Sequence, residues 1–147
     1  MEIKEIKEGK RDYLSLLLLG DEDEEMIDRY LDRGRLFVLT DGEALAVCVT
    51  TDEGEGVLEI KNLAVREGFR GRGLGRAMLE YIEGLCRGEF SRLQVGTGDS
   101  PLTLPFYERC GFTRSHTVKN FFSDNYPHPI YEGGVLLTDM VYLTKKI

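Results

Sequence analysis

The segment at residues 57–76 decides the fold, and it reads Val-Leu-Glu-Ile-Lys-Asn-Leu-Ala-Val-Arg-Glu-Gly-Phe-Arg-Gly-Arg-Gly-Leu-Gly-Arg. Its aliphatic and β-branched start predicts a strand over Val57–Val65. A helix follows the glycine-rich loop, because apolar side chains recur at helical spacing at Leu74, Ala77, Met78, Tyr81, Ile82 and Leu85. A loop between a strand and a helix start leaves several backbone N–H groups without a partner.

The loop itself, Arg70-Gly71-Arg72-Gly73-Leu74-Gly75-Arg76, is typical of a phosphate-binding turn. Free N–H groups and the helix dipole both favour an anion, and glycines let the backbone approach it closely. Four arginines against one glutamate give residues 66–76 a local charge of +3. The alternative is a solvated basic turn. A dinucleotide fingerprint starting at Gly71 needs glycine where Arg76 stands, and no Gly-Lys-Ser/Thr ending exists.

The elements on either side predict one mixed α/β domain over residues 1–147. Their order is β-α-α-β-β-β-α-β-α-β-β, without repeat or linker. The predicted strands are 2–7, 35–40, 44–51, 57–65, 90–97, 112–121 and 135–143. Four helices are predicted: the first over 10–19, the second capped by Asp21 and stopped by Gly34, the third starting at Leu74, and the fourth over 103–110.

Composition narrows the class of protein. The formal net charge of −7 argues against nucleic-acid and membrane partners, since phosphate backbones attract excess Lys and Arg. Three scattered cysteines suggest reduced thiols and a cytoplasmic location, and two histidines without a cysteine cluster predict no metal site. The N-terminal segment alternates charged and apolar residues, unlike a signal peptide.

A second motif, Phe106-Tyr107-Glu108-Arg109-Cys110-Gly111-Phe112, stands about thirty residues after the loop. Together with Arg-x-x-Gly-x-Gly, it resembles the GNAT (GCN5-related N-acetyltransferase) superfamily over essentially the whole chain. Two stretches, Gly96–Ser100 and Pro129–Met140, are similar to a bacterial branch of that family. One departure is Asp99-Ser100, where many relatives carry an asparagine that contacts the cofactor.

The resemblance implies acetyl-CoA as co-substrate. The implied contacts are Leu63, Ala64 and Val65 for the pantetheine arm and Arg70, Gly71, Arg72, Gly73, Leu74, Gly75 and Arg76 for the pyrophosphate. Tyr107 is the implied general acid, with packing on the cofactor as its alternative. Glu59, on one strand face with Lys61 and Leu63 by alternation, is the implied base, with a lysine ion pair as its alternative. Asp99 and Glu108 are lesser candidates.

The connection 121–134 is long and combines aromatic rings with carboxylates, which suits a cationic amine. Phe122, Asp124 and Tyr131 are the predicted acceptor contacts, and a packed lid or a homodimer contact is equally open. The sequence therefore predicts direct acetyl transfer to a small primary amine, such as an amino acid, a polyamine or an antibiotic. The alternatives are an acyl-CoA sensor and a protein N-terminal or lysine acetyltransferase.

Overall fold

The computed structural model describes all residues from Met1 to Ile147. The chain divides into two compact units, Met1–Ser91 and Arg92–Ile147. No helix in it has the length and hydropathy needed to cross a membrane.

The first unit is built on an antiparallel sheet in the spatial order β1 (Glu2–Ile6), β2 (Arg35–Thr40), β3 (Ala44–Gly54) and β4 (Val57–Val65). On one face, Leu17 of α1 (Leu14–Gly20) and Ile27 of α2 (Glu24–Asp28) join a buried cluster with Val47, Val49 and Ala64. On the other face, Phe37 packs edge-on against Tyr81 of α3 (Leu74–Cys86), with centroids 6.1 Å apart. The predicted meander and amphipathic helix are both present.

The second helix begins two residues later than the sequence predicts and is shorter. Asp23, not Asp21, caps α2, since its carboxylate accepts the Met26 N–H at 3.2 Å. The helix ends at Asp28 instead of reaching Gly34. Beyond it, the Lys10 ammonium binds carbonyls of the following turn, including Leu31 at 3.0 Å and Gly34 at 2.7 Å. These charged hydrogen bonds satisfy carbonyls of the turn that follows α2.

A buried polar network ties α1 to β4. Asn62, only 3% exposed, donates to the Leu17 carbonyl at 2.9 Å and to the Tyr30 hydroxyl at 3.1 Å. The Tyr30 hydroxyl in turn donates to Asp21 at 3.3 Å, and burial raises the pKa of Tyr30 strongly. Gly20 lies directly against this network, so the approach of helix and strand depends on its missing side chain.

Gly20→Ala should therefore destabilise the fold by about 1–3 kcal/mol, the usual cost of overpacking. The added Cβ would lie 2.2 Å from Asn62 Oδ1 and 3.3 Å from the Leu63 carbonyl. Urea unfolding measures the loss, with Gly84→Ala in α3 as control. A Cβ at Gly84 meets nothing within 4 Å, so alanine there should stabilise through helix propensity. Equal stability of Gly20→Ala and the wild type would contradict the close packing.

The second unit contains a three-stranded antiparallel sheet in the order β5 (Arg92–Gly98), β9 (Met140–Lys146) and β6 (Thr113–Val118). Two short helices, α4 (Leu104–Arg109) and α5 (Phe121–Asn125), belong to this unit. Between α5 and β9, β7 (Tyr131–Glu132) and β8 (Val135–Leu136) form a small hairpin. A buried cluster in this unit is formed by Phe122, Ile130 and Leu137.

The closing strands differ from the prediction. The strand predicted over 112–121 ends at Val118, because Asn120 takes a left-handed conformation (φ 57°) and α5 begins at Phe121. The Asp139 carboxylate accepts the Asn120 N–H at 2.9 Å and stabilises this turn. The strand predicted over 135–143 divides into β8 and β9, because Leu137 turns into the cluster and its N–H binds the Ile130 carbonyl at 2.8 Å.

Candidate functional site

The glycine loop leads directly into α3. Gly73 precedes the helix with φ 79°, and the first pairing inside the helix is Ala77 N–H to the Gly73 carbonyl at 3.0 Å. The N–H groups of Leu74, Gly75 and Arg76 therefore have no carbonyl partner within the helix. A Cβ on Gly71 or Gly73 would meet nothing within 4 Å. This exposed backbone at the start of a thirteen-residue helix fits a pyrophosphate.

The predicted arginines surround the loop, and each has a local contact. Arg70 Nε donates to the Val65 carbonyl at 3.2 Å, which links the loop to the end of β4. The Arg72 guanidinium lies over the Phe69 ring, 5.0 Å from its centroid, and Arg76 pairs with Glu80 at 3.1 Å. All three arginines stay exposed, so their charge remains available to an anion in solution.

The three predicted pantetheine contacts lie at the end of β4. Leu63, Ala64 and Val65 pair with Cys48, Val47 and Ala46 of β3. Ala64 is 6% exposed and belongs to the core, as expected from the sequence, whereas Leu63 and Val65 are half-buried. Backbone contact with a pantetheine arm at these residues stays a prediction.

Glu59 is buried, 5% exposed, and forms an ion pair with Lys61 at 2.6 Å. The expected common face for Glu59 and Leu63 is wrong, because β4 bulges at Lys61: Ile60 pairs with Thr50, and Asn62 with Val49. Glu59 then pairs with Thr51, and Leu63 pairs with Cys48. Thr51 and Cys48 are three positions apart on β3, where side chains alternate between faces, so Glu59 and Leu63 lie on opposite faces of the sheet. A strand pattern alone cannot reveal such an inserted residue.

Tyr107 lies on α4 and is 7% exposed. Its ring packs edge-on against Phe106 at 5.0 Å and against Phe112 at 5.6 Å between centroids. The Phe112 N–H returns to the Tyr107 carbonyl at 3.0 Å, after a turn at Gly111. The residues of the Phe-Tyr-x-x-x-Gly-Phe motif thus form one packed unit, in which two aromatic contacts hold the phenol ring.

The three predicted acceptor residues have different environments. Phe122 is 8% exposed and packs with Ile130 and Leu137, so it holds the segment together. Asp124 is exposed on α5, and Tyr131 is 62% exposed on β7. Glu132 counts among the carboxylates that make this segment suitable for a cationic amine, although it is not one of the three predicted contacts. Burial raises the pKa of its carboxyl, opposed in part by a hydrogen bond from Ser100.

Comparisons with known proteins agree with this geometry. A family model described as an acetyltransferase (GNAT) domain matches residues 32–114. An uncharacterized N-acetyltransferase of Bacillus subtilis (strain 168), YvbK, is 34% identical over 143 residues, which are 95% of this chain and 92% of that protein.

Two solved structures are similar over nearly the whole chain. A GNAT family acetyltransferase from Elizabethkingia anophelis with acetyl-CoA bound has a TM-score of 0.93 and 36% identity, covering 99% of this chain and 97% of its own. An IAA acetyltransferase from Bacillus cereus ATCC 14579 has a TM-score of 0.91 and 34% identity, covering 99% of both chains. The mixed α/β fold predicted from the sequence is confirmed.

Proposed function

We propose that this chain, which belongs to the GNAT family of acetyltransferases, moves the acetyl group of acetyl-CoA to the primary amine of a small molecule. The chain is an acyltransferase by its family. The observation that supports acetyl-CoA as its donor is the exposed backbone of Gly71 and Gly73 at the start of α3. The small-molecule acceptor is supported by the aromatic and acidic segment 121–132. We also propose that residues 1–147 act as one domain.

The experiment tests acetyl transfer from acetyl-CoA to a panel of amines, and the free thiol that each transfer releases is measured. The panel holds amino acids, polyamines, simple alkylamines, aminoglycosides and peptides with free N-termini. Turnover of small amines supports the proposal. Turnover of peptides alone points to a protein acetyltransferase, and binding of acetyl-CoA without any turnover points to a sensor.

The proposed reaction is direct transfer in a ternary complex. The neutral amine nitrogen attacks the thioester carbonyl, the C–N bond forms, and the C–S bond breaks with the electron pair on sulfur. We propose that Glu59 takes the first proton from the incoming ammonium and that the Tyr107 hydroxyl donates its proton to that sulfur. The nitrogen, which carries an extra proton after the attack, then gives that proton to the Tyr107 phenolate, and Glu59 releases its proton to water. A covalent route through an acyl-enzyme would need an activated thiol as nucleophile. Cys48 and Cys86 do not supply one, because burial raises the pKa of both thiols.

Glu59→Gln should lower kcat/KM at pH 7 by about tenfold to a hundredfold. An amine with a pKa near 9 is only about 1% neutral at pH 7, so that free fraction limits the loss. Raising the pH towards 9 should restore activity, since the amine then arrives without its extra proton. Lys61→Gln breaks the same ion pair from the other side and should retain most activity. Equal losses in both variants would assign Glu59 a structural role only.

A further inference from the structure

One half-buried glutamate of the chain lacks an ion pair, whereas the other half-buried glutamates each have one. Four glutamates are at least half-buried: Glu5, Glu59, Glu83 and Glu132. Glu5 pairs with Arg35 at 2.8 Å, Glu59 with Lys61 at 2.6 Å, and Glu83 with Arg87 at 2.9 Å. Glu132 forms no ion pair. A partly desolvated carboxylate without a cation does not stabilise the fold, and such a group is a candidate for binding a cationic ligand.

Glu132 is nevertheless held in place. It lies on β7 opposite Val135, next to the Gly133–Gly134 turn. Its carboxylate accepts a hydrogen bond from the hydroxyl of Ser100, a residue only 1% exposed. The hairpin is anchored by the bond from Leu137 N–H to the Ile130 carbonyl, and both side chains are buried.

Ser100 is itself fixed on all sides. Its N–H binds the Gly98 carbonyl at 2.8 Å, its Oγ accepts the Leu102 N–H at 3.0 Å, and its carbonyl accepts the Leu104 N–H at 3.3 Å. Because the Ser100 Oγ accepts from Leu102, its hydrogen is the part of the hydroxyl that bonds Glu132. A carboxylate offers about four lone-pair positions, so one serine donor leaves most of its acceptor capacity for a ligand.

We propose that the Glu132 carboxylate, held by Ser100, binds the protonated amine of the acceptor. The inference rests on the proposed function and names the contact that recognises the substrate. Val135, on the same face of the hairpin, is 40% exposed, and the Leu102 side chain, 59% exposed, packs over Gly133. The acceptor class is therefore a primary ammonium attached to an apolar group, since apolar surface lies beside the charge.

The experiment measures binding of n-hexylamine and 2-phenylethylamine to the protein saturated with CoA, which permits no transfer. Hexan-1-ol serves as the uncharged isostere. Glu132→Gln should weaken amine binding by roughly tenfold to a hundredfold, the loss expected for one charged hydrogen bond, and should leave CoA binding within about twofold. Ser100→Ala should weaken amine binding less, because the carboxylate remains. Glu43→Gln removes the same charge at an exposed turn and should change nothing.

Thermal unfolding separates binding from a structural role. Because the raised pKa means that the folded protein disfavours the ionised carboxyl, Glu132→Gln should not lower Tm. The inference is overturned by equal amine affinity in wild type and Glu132→Gln, by equal affinity for hexan-1-ol, by a lowered Tm, or by a loss that follows Asp124→Asn instead. Amine binding that depends on Glu132, without turnover, would contradict the proposed function and support the inference.

Discussion

Gly73→Val should weaken acetyl-CoA binding by about a hundredfold to ten-thousandfold in a folded protein. The loop binds an anion through backbone N–H groups, and losing two charge-assisted hydrogen bonds costs about 3–6 kcal/mol. A Cβ at Gly73 meets no protein atom within 4 Å, so a valine side chain would extend into open space beside the loop, where we expect it to obstruct the approach of the phosphate. Calorimetry with acetyl-CoA, for which we expect micromolar affinity in the wild type, measures the loss.

Backbone strain needs its own control, because Gly73 has φ 79° and valine tolerates this conformation poorly. The control variant is Gly42→Val. Gly42 has φ 78° and equally open surroundings, but it lies in the turn between β2 and β3. Both variants should lose similar stability, while only Gly73→Val should lose acetyl-CoA affinity. Unchanged affinity in a folded Gly73→Val would remove the loop from the cofactor site.

The parts of the fold predicted well are those with a strong local period. Apolar residues recur along α3 from Leu74 to Leu85, and the β2–β3 hairpin has a short Asp41-Gly42 turn between two aliphatic runs. The start of α3 follows from the glycines before it. In these elements, local pattern and tertiary burial favour the same structure, so the sequence alone was sufficient.

Elsewhere, contacts between distant residues decide the structure. The strand break at Asn120 is stabilised by the Asp139 carboxylate, and the turn after α2 is held by Lys10, which lies 21 residues before Leu31. The bulge at Lys61 depends on pairing with β3. None of these has a local period, and an alternating stretch such as 112–121 does not show where its strand ends until its partners are known.

The candidate site shows the same division. The phosphate loop and the Phe-Tyr motif are each a continuous stretch of residues, so both can be recognised from the sequence alone. Glu132 and Ser100 are thirty-two positions apart, and neither belongs to a motif with a chemical role of its own. Their significance comes from burial and from the missing cation, which only the folded chain reveals.

Tyr107→Phe should lower kcat by about a hundredfold to ten-thousandfold, the usual contribution of a general acid. The leaving thiolate resembles a thiol with a pKa near 8.5, so proton donation to sulfur assists its departure. The substitution keeps the ring, which packs between Phe106 and Phe112, and so separates the hydroxyl from packing. Acetyl-CoA affinity and Tm should therefore change little.

Tyr81→Phe removes a phenol hydroxyl from the exposed side of α3 and should leave kcat unchanged. Cys110→Ala tests the covalent alternative, because Cys110 is the thiol nearest to Tyr107 in sequence and is half-buried. Cys110→Ala should retain most activity. Double-reciprocal plots of initial rate at several concentrations of the second substrate should give intersecting lines for Tyr81→Phe and for Cys110→Ala, as direct transfer requires. Wild-type turnover in Tyr107→Phe would mean that simple proximity, without a general acid, accounts for the reaction. Parallel lines for the wild type, together with loss of turnover in Cys110→Ala, would mean a covalent mechanism.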